Sequence, residues 1–295
     1  MSHHLSDFLL RLASEPGLRD RLRTRGFPVA GRPLGGPGSL IVVGSGIALM
    51  SQITPEAVSA IRHADVVLHV VRDQVTARWL GSLNANSRTM LDCYEPGGPR
   101  RSAYREMADR IVAAVRSGLN VCAVFYGHPG VLVDASRQAM NRVRRAGYPA
   151  TMLPGISTEA CMYADLDIDP GHGCQTYEVT RFLAFRRRID PTSALILWQV
   201  GLIGEPNEMP MSSAARPDRL RVLARRLLRS YPAQHPVVIY RASTVPTTGA
   251  TVRRVRLDRL ARAAINPAET LYLPPLANRR ADPRIVRWMK IHSRS

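Results

Sequence analysis

The stretch Val121-Cys122-Ala123-Val124-Phe125-Tyr126-Gly127-His128-Pro129-Gly130-Val131-Leu132-Val133 opens as an apolar run of strand length and stops in a glycine-rich loop. A run without polar alternation suits a strand buried on both faces, as in a parallel sheet covered by helices. In the loop, Gly127 and Gly130 flank a His-Pro pair. The backbone can therefore take positive φ and approach a ligand closely, while Pro129 stiffens the turn. Open α/β sheets hold their ligands beyond the carboxyl ends of such strands.

Outward from this stretch the same rhythm repeats. Leu40-Ile41-Val42-Val43 closes in Gly44-Ser45-Gly46-Ile47, a helix begins with Thr54 as N-cap and Pro55 in its first position, and Val66 to Val71 forms a second strand. Spacing predicts helices over 74–80 and 100–117 and another ending near Arg145. It also predicts a short strand near 89–91 and a strand at 149–153 that turns at Pro154-Gly155 into a further helix. This is the βαβ pattern of a parallel, doubly wound domain, placed at residues 38–168. The turn formers from Asp167 to Gly173 mark its end. Strands near 175–180, 194–200, 235–241 and 269–273, with a helix near 217–230, predict a second, mixed α/β domain over 169–276, and 277–295 is a basic tail or surface helix. Ahead of both, residues 1–37 form a short helical appendage and a Gly/Pro linker. Leu5, Phe8, Leu9, Leu12 and Ala13 recur at helical spacing, and a second short helix opens at Ser14-Glu15-Pro16 and stops at Arg25-Gly26.

The chain of 295 residues is 45% hydrophobic, enough for two modest cores. No apolar run approaches the roughly 20 residues of a membrane span, and the first residues lack the layout of a signal peptide, so a cytoplasmic protein without membrane association is expected. The four cysteines (Cys93, Cys122, Cys161 and Cys174) show no metal spacing and are read as buried free thiols, and no metal site is expected. The net charge is +18, and of the 41 basic residues only Lys290 is a lysine. Such a charge raises nucleic-acid binding, but the even scatter of the arginines fits solvated helix faces better. Two dense clusters, Arg186-Arg187-Arg188 and Arg225-Arg226, could attract an acidic partner.

Gly44-x-Gly46 after a strand is only part of a dinucleotide fingerprint, since position 49 is Leu, and it reads equally as a tight turn. In the helix from Arg100, residues Tyr104, Met107, Ala108, Ile111, Val112 and Val115 share one stripe, which would make Tyr104 a core residue. Arg100, one turn earlier on that face, shifts the balance: burying a guanidinium without a partner costs about 3–5 kcal/mol, so an anionic or carbonyl ligand is indicated there. His128 reads as a general base, a ligand or a turn residue. His235 reads as a strand-start or functional residue.

Five segments together resemble the tetrapyrrole methylase superfamily: Val43-Gly44-Ser45-Gly46-Ile47, Ala64-Asp65-Val66-Val67-Leu68, Tyr126 to Val131, Leu153 to Glu159, and His235-Pro236-Val237-Val238-Ile239-Tyr240. Phe125 to Val131, Ala164 to Pro170, Gln199-Val200-Gly201 and Tyr272-Leu273-Pro274-Pro275 are similar within it to the borosin α-N-methyltransferases, which methylate backbone amides of a ribosomal peptide. Corrin-making relatives generally carry Gly-Pro-Gly in the first turn and Gly-Asp-Pro in the central loop, and this chain has neither.

The resemblance implies two α/β domains with an S-adenosylmethionine cleft between them and a homodimer. It carries the catalytic roles onto Tyr94, Arg100 and Tyr104. Cofactor contacts fall on Tyr126, Gly127, Val131, Leu132, Ser157, Thr158, Gln199 and Ala242. A tyrosine of the group's substrate pocket is Leu91 here, a departure that bears on substrate register. Fungal members carry their own core peptide after the catalytic domain, whereas no apolar core peptide follows Pro275 in this sequence, while Leu5 to Glu15 resembles the start of the helical domain of borosin precursors. The expectation is therefore methylation of a separate precursor peptide in trans. The alternatives are a corrin, porphyrin or ribosomal RNA methyltransferase of the same superfamily, or a non-catalytic module that binds a precursor or S-adenosylmethionine.

Overall fold

The computed structural model describes residues 38–207, 213–277 and 282–289. The expected helical appendage and linker of residues 1–37, and most of the basic tail, lie outside the described residues. The chain divides into two compact units: residues up to 157 together with 244–246, and 158–243 together with the residues from 247 on.

The first unit is a parallel five-stranded sheet in the order β3-β2-β4-β1-β5, with β1 at Ser39–Gly44, β2 at Val66–Val70, β3 at Ser87–Thr89, β4 at Asn120–Phe125 and β5 at Ala150–Met152. The opening stretch of the sequence supplies β4, paired on both sides at the centre of the sheet. Its unbroken apolar run follows from burial on both faces. Val121, Ala123 and Phe125 join one core with Leu40, Val42, Val66 and Leu68, while Cys122 and Val124 join the opposite core with Val43 and Val67. Helices α1 (Pro55–His63) and α2 (Gln74–Leu83) supply the second of these cores; α3 (Arg100–Arg116) and α4 (Asp134–Arg145) supply the first. Thr54 caps α1 by accepting from the Ala57 amide at 3.2 Å. Asp65 accepts from both the backbone and the side-chain nitrogen of Asn120, at 2.7 and 2.9 Å, and so ties the start of β2 to the start of β4.

The second unit begins with helix α5 (Thr158–Asp165) and contains a mixed sheet in the order β6-β7-β10-β8-β9. Its strands are β6 (Cys174–Glu178), β7 (Ala194–Trp198), β8 (Pro236–Arg241), β9 (Thr251–Arg256) and β10 (Thr270–Leu273); only β6 and β7 are parallel. Helices α6 (Val179–Ala184) and α7 (Pro217–Leu227) pack on it through Val179, Phe182, Leu220, Leu223 and Leu227. The last described helix is α8 (Pro283–Trp288).

The division falls at 157/158 and not at the expected 168/169. The turn-rich segment after α5 belongs with the second unit because the Ile168 amide donates to the Tyr163 carbonyl, and the Tyr240 hydroxyl of β8 donates to Asp165 at 2.6 Å. Strand β9 and helix α6 were not expected from the sequence. Cys93 and Cys122 are buried free thiols, with Cys93 pushed up to about 11 by burial, but Cys161 and Cys174 are only half-buried. Among the described residues no helix is long and apolar enough to cross a membrane, and no three His, Cys, Asp or Glu are grouped to hold a metal ion.

Candidate functional site

In the first unit, the loops after β1, β4 and β5 meet through four glycines. Gly46 and Gly127 both have φ of +72° and form an antiparallel bridge in which the Gly127 amide donates to the Gly46 carbonyl at 2.9 Å. A Cβ on Gly44 would lie 2.0 Å from the Gly127 carbonyl oxygen, and one on Gly155 would lie 3.4 Å from that same oxygen. Backbone is thus packed on backbone where side chains would fill the space. Gln52 locks the first loop by accepting from the Ile47 and Ala48 amides at 2.9 and 3.0 Å.

The central loop is held from below. His128 Nδ1 accepts from the Gly130 amide at 2.9 Å, the Ser136 hydroxyl donates to the Val133 carbonyl at 2.8 Å and also to that of Pro129, and Arg137 donates to the Gly130 carbonyl. His128 is thereby a turn residue. The same loop turns Tyr126, Val131 and Leu132 outward, at 44%, 37% and 43% exposure, and Leu132 has φ of +56°. Large apolar side chains held in solvent by a rigid, partly strained loop suit contact with a ligand that has an apolar face.

Tyr94 and Tyr104 meet at the head of α3, the helix that Arg100 begins. Tyr94 ends the 3-10 turn of Leu91–Cys93, and its ring meets that of Tyr104 edge to face at 6.3 Å and 84°. Arg100 is the first residue of α3 and lies one turn before Tyr104; all three are half-buried, and both tyrosines pack on the core that contains Met107 and Ile111. The guanidinium of Arg72, the second residue after β2, sits 5.2 Å over the Tyr94 ring. Ser157 is half-buried at the end of this unit.

The remaining candidates belong to the second unit. Thr158 is the first residue of α5, and Ala242 follows β8 and is buried. Gln199 follows β7 directly, with left-handed φ and ψ of 58° and 34°. Its neighbour Gly201 backs onto Asn266, whose carbonyl carbon would lie 2.3 Å from a Cβ. His235 is a structural residue: its Nε2–H donates to the Pro274 carbonyl at 2.9 Å, and its ring stacks on Tyr231 at 4.7 Å.

The family model described as tetrapyrrole (corrin/porphyrin) methylases matches residues 39–261. The chain belongs to this family. As a tetrapyrrole methylase it is similar in fold to a uroporphyrin-III-C-methyltransferase from Thermus thermophilus (TM-score 0.57, 20% identity, 81% of this chain and 93% of that one) and to a diphthine synthase (TM-score 0.55, 15% identity, 80% and 90%). It is 38% identical over 260 residues to the methyltransferase/ribosomally synthesized cyclic peptide dendrothelin A precursor of Dendrothele bispora, covering 86% of this chain and 62% of that protein. The omphalotin A precursor of Omphalotus olearius is 37% identical over 262 residues (86% and 62%), and a type I borosin precursor of Coprinopsis marcescibilis 39% over 245 residues (81% and 63%). The methylase chain therefore spans about three-fifths of the length of these curated relatives.

Two residues of the candidate site were not singled out from the sequence, Gln52 and Arg72. The position of Arg72 just beyond the carboxyl end of β2 is a signal that strand topology could have supplied. Gln52 has none, because its amide-capping role depends on how the loop folds back.

Proposed function

We propose that this chain is an S-adenosylmethionine-dependent methyltransferase acting on backbone amide nitrogens of a ribosomally made peptide that is a separate polypeptide, and that it works as a homodimer. The observation that carries the reading is the edge-to-face pair of Tyr94 and Tyr104 with Arg100 one turn before Tyr104. The similarity to borosin-type methyltransferase precursors supports the substrate class. The side chains named above fit the cofactor: outward apolar groups at Tyr126, Val131 and Leu132, close backbone approach at Gly44 and Gly127, and a strained Gln199. By the resemblance, Tyr126, Gly127, Val131, Leu132, Ser157, Thr158, Gln199 and Ala242 would hold it. When bound, the cofactor supplies a methyl group on a positively charged sulfur.

A peptide nitrogen is a poor nucleophile because its lone pair is delocalised into the carbonyl. Tyr104, as tyrosinate favoured by the charge of Arg100, takes the amide proton. Tyr94 donates to the carbonyl oxygen, where the displaced negative charge collects, and Arg72 over its ring holds it in place. With the cofactor bound, the deprotonated nitrogen would be the acceptor of that methyl group, and the roles of Tyr94, Arg100 and Tyr104 would be to keep it deprotonated and oriented. Arg100 and the two tyrosines thus act on the acceptor, while alignment of the reacting atoms could contribute on the order of 7–11 kcal/mol.

Co-expression with candidate peptides encoded nearby, followed by mass spectrometry, tests the reading. Increments of one methyl on backbone amides of the separate peptide are expected. Tyr104→Phe and Arg100→Ala should each abolish them while S-adenosylmethionine still binds by calorimetry. Near-normal turnover in either variant would overturn the assigned roles, methylated RNA or tetrapyrrole as the product would overturn the substrate class, and a monomer in sedimentation would overturn the dimer.

A further inference from the structure

The two arginine clusters, separated by some 40 residues in sequence, are brought to one place in the second unit. Leu183 and Arg186 at the end of α6, with Val222, Arg225, Arg226 and Arg229 on and just beyond α7, line a groove of about 630 Å³. Among the described residues no acidic side chain lines it, and none of its four arginines takes part in an ion pair.

The needs of the fold account for one of them. Arg226 donates to the Arg187 carbonyl and lies 5.5 Å over the Phe182 ring. Helix carboxyl ends attract cations, but each carries only about half a negative charge, too little to balance Arg186, Arg225 and Arg229. The floor is also unusual for a solvated face: Val222 is 54% exposed, and Phe185, next to Arg186 in the chain, is 58% exposed.

We propose that this groove is the docking site of an acidic peptide segment, with carboxylates on Arg186, Arg225 and Arg229 and an aliphatic side chain on Leu183 and Val222. Guanidinium groups bind carboxylates through paired, parallel hydrogen bonds, and aliphatic contact excludes water from them. A nucleic-acid backbone would use the charges but leave the aliphatic floor in water. The nearby aromatic that could stack a base, Phe185, is already flanked by Arg181 at 5.1 Å and Arg187 at 5.8 Å. The proposal stands on the second unit alone and is independent of the methyl-transfer reading.

Fluorescence anisotropy with the full chain tests it, using four labelled probes of equal length: an amphipathic Glu/Leu peptide, its Gln/Leu counterpart, oligoglutamate and single-stranded RNA. The Glu/Leu peptide should bind tightest. Arg225→Gln with Arg229→Gln should weaken it about tenfold or more. Val222→Ser should weaken it while leaving oligoglutamate unchanged. All three positions are exposed, and an unchanged thermal midpoint verifies each fold, with Arg186→Gln as a further variant. Unaltered affinity in the double variant, oligoglutamate binding as well as the Glu/Leu peptide, or RNA binding more tightly through the same arginines would each overturn the proposal.

Discussion

The glycines of the first unit show how a single position can be read and yet not understood from sequence. Gly44 and Gly127 are visible as turn residues, but what forbids a side chain at Gly44 is the Gly127 carbonyl, 83 positions away in sequence and 2.0 Å from where a Cβ would stand. Backbone cannot swing aside as a flexible side chain can. Gly44→Ala should therefore destabilise the first unit by about 3 kcal/mol, the upper part of the usual range for overpacking. A guanidinium denaturation midpoint equal to the parent's would show that the loops relax freely. At the same scale, Tyr104 was legible because helical spacing ties it to Arg100, and its partner Tyr94 only by resemblance, since no spacing rule links a residue before α3 to one inside it. The imidazole of His128 drew notice as the polar group of the loop, yet its Nδ1 is spent on the Gly130 amide.

Elements were legible wherever one periodicity was strong. Helix α3 buries Met107, Ala108, Ile111, Val112 and Val115, the stripe that its spacing predicts. Strand β9 escaped because it reads Thr-Val-Arg-Arg-Val-Arg, with three arginines on an edge strand that pairs only with β8. An antiparallel edge can keep one side in water, so it lacks the continuous apolar signature of β4. Helix α6 escaped because Glu178 closes a strand and caps the helix at once, accepting from the Thr180 and Arg181 amides at 2.8 Å. The head of α3 carries Arg100 and Arg101 and no acidic residue, an arrangement opposed by the helix dipole. Arg101 is exposed, so Arg101→Glu should stabilise the chain by about 0.3–1 kcal/mol, with a further contribution from pairing to Arg105. A lower urea midpoint in that variant would contradict this account.

Across the molecule, the buried imidazoles link stability to pH. Burial holds His69 in β2 and His235 before β8 below the ordinary histidine value, and His69 Nδ1 has no hydrogen-bond partner among the described residues. The unfolded chain then binds protons more readily than the folded one, so stability is full above ~6.5 and falls as the pH drops below it toward the depressed folded values. Urea unfolding at pH 5 should give a lower midpoint than at pH 7.5, and His235→Gln should reduce the difference; an identical midpoint at both pH values would refute the assignment. Sequence alone determined the alternation of strands and helices, the parallel first sheet and the mixed second one, because those rest on local periodicity and short glycine turns, and it pointed to the family by the resemblance of its motifs. The boundary at 157/158, the meeting of the glycine loops, the pairing of Tyr94 with Tyr104 and the convergence of two arginine clusters into one groove were decided only by the tertiary structure. The glycine meeting and the groove join residues distant in sequence, and all four features are set by how whole elements pack and not by any pattern within them.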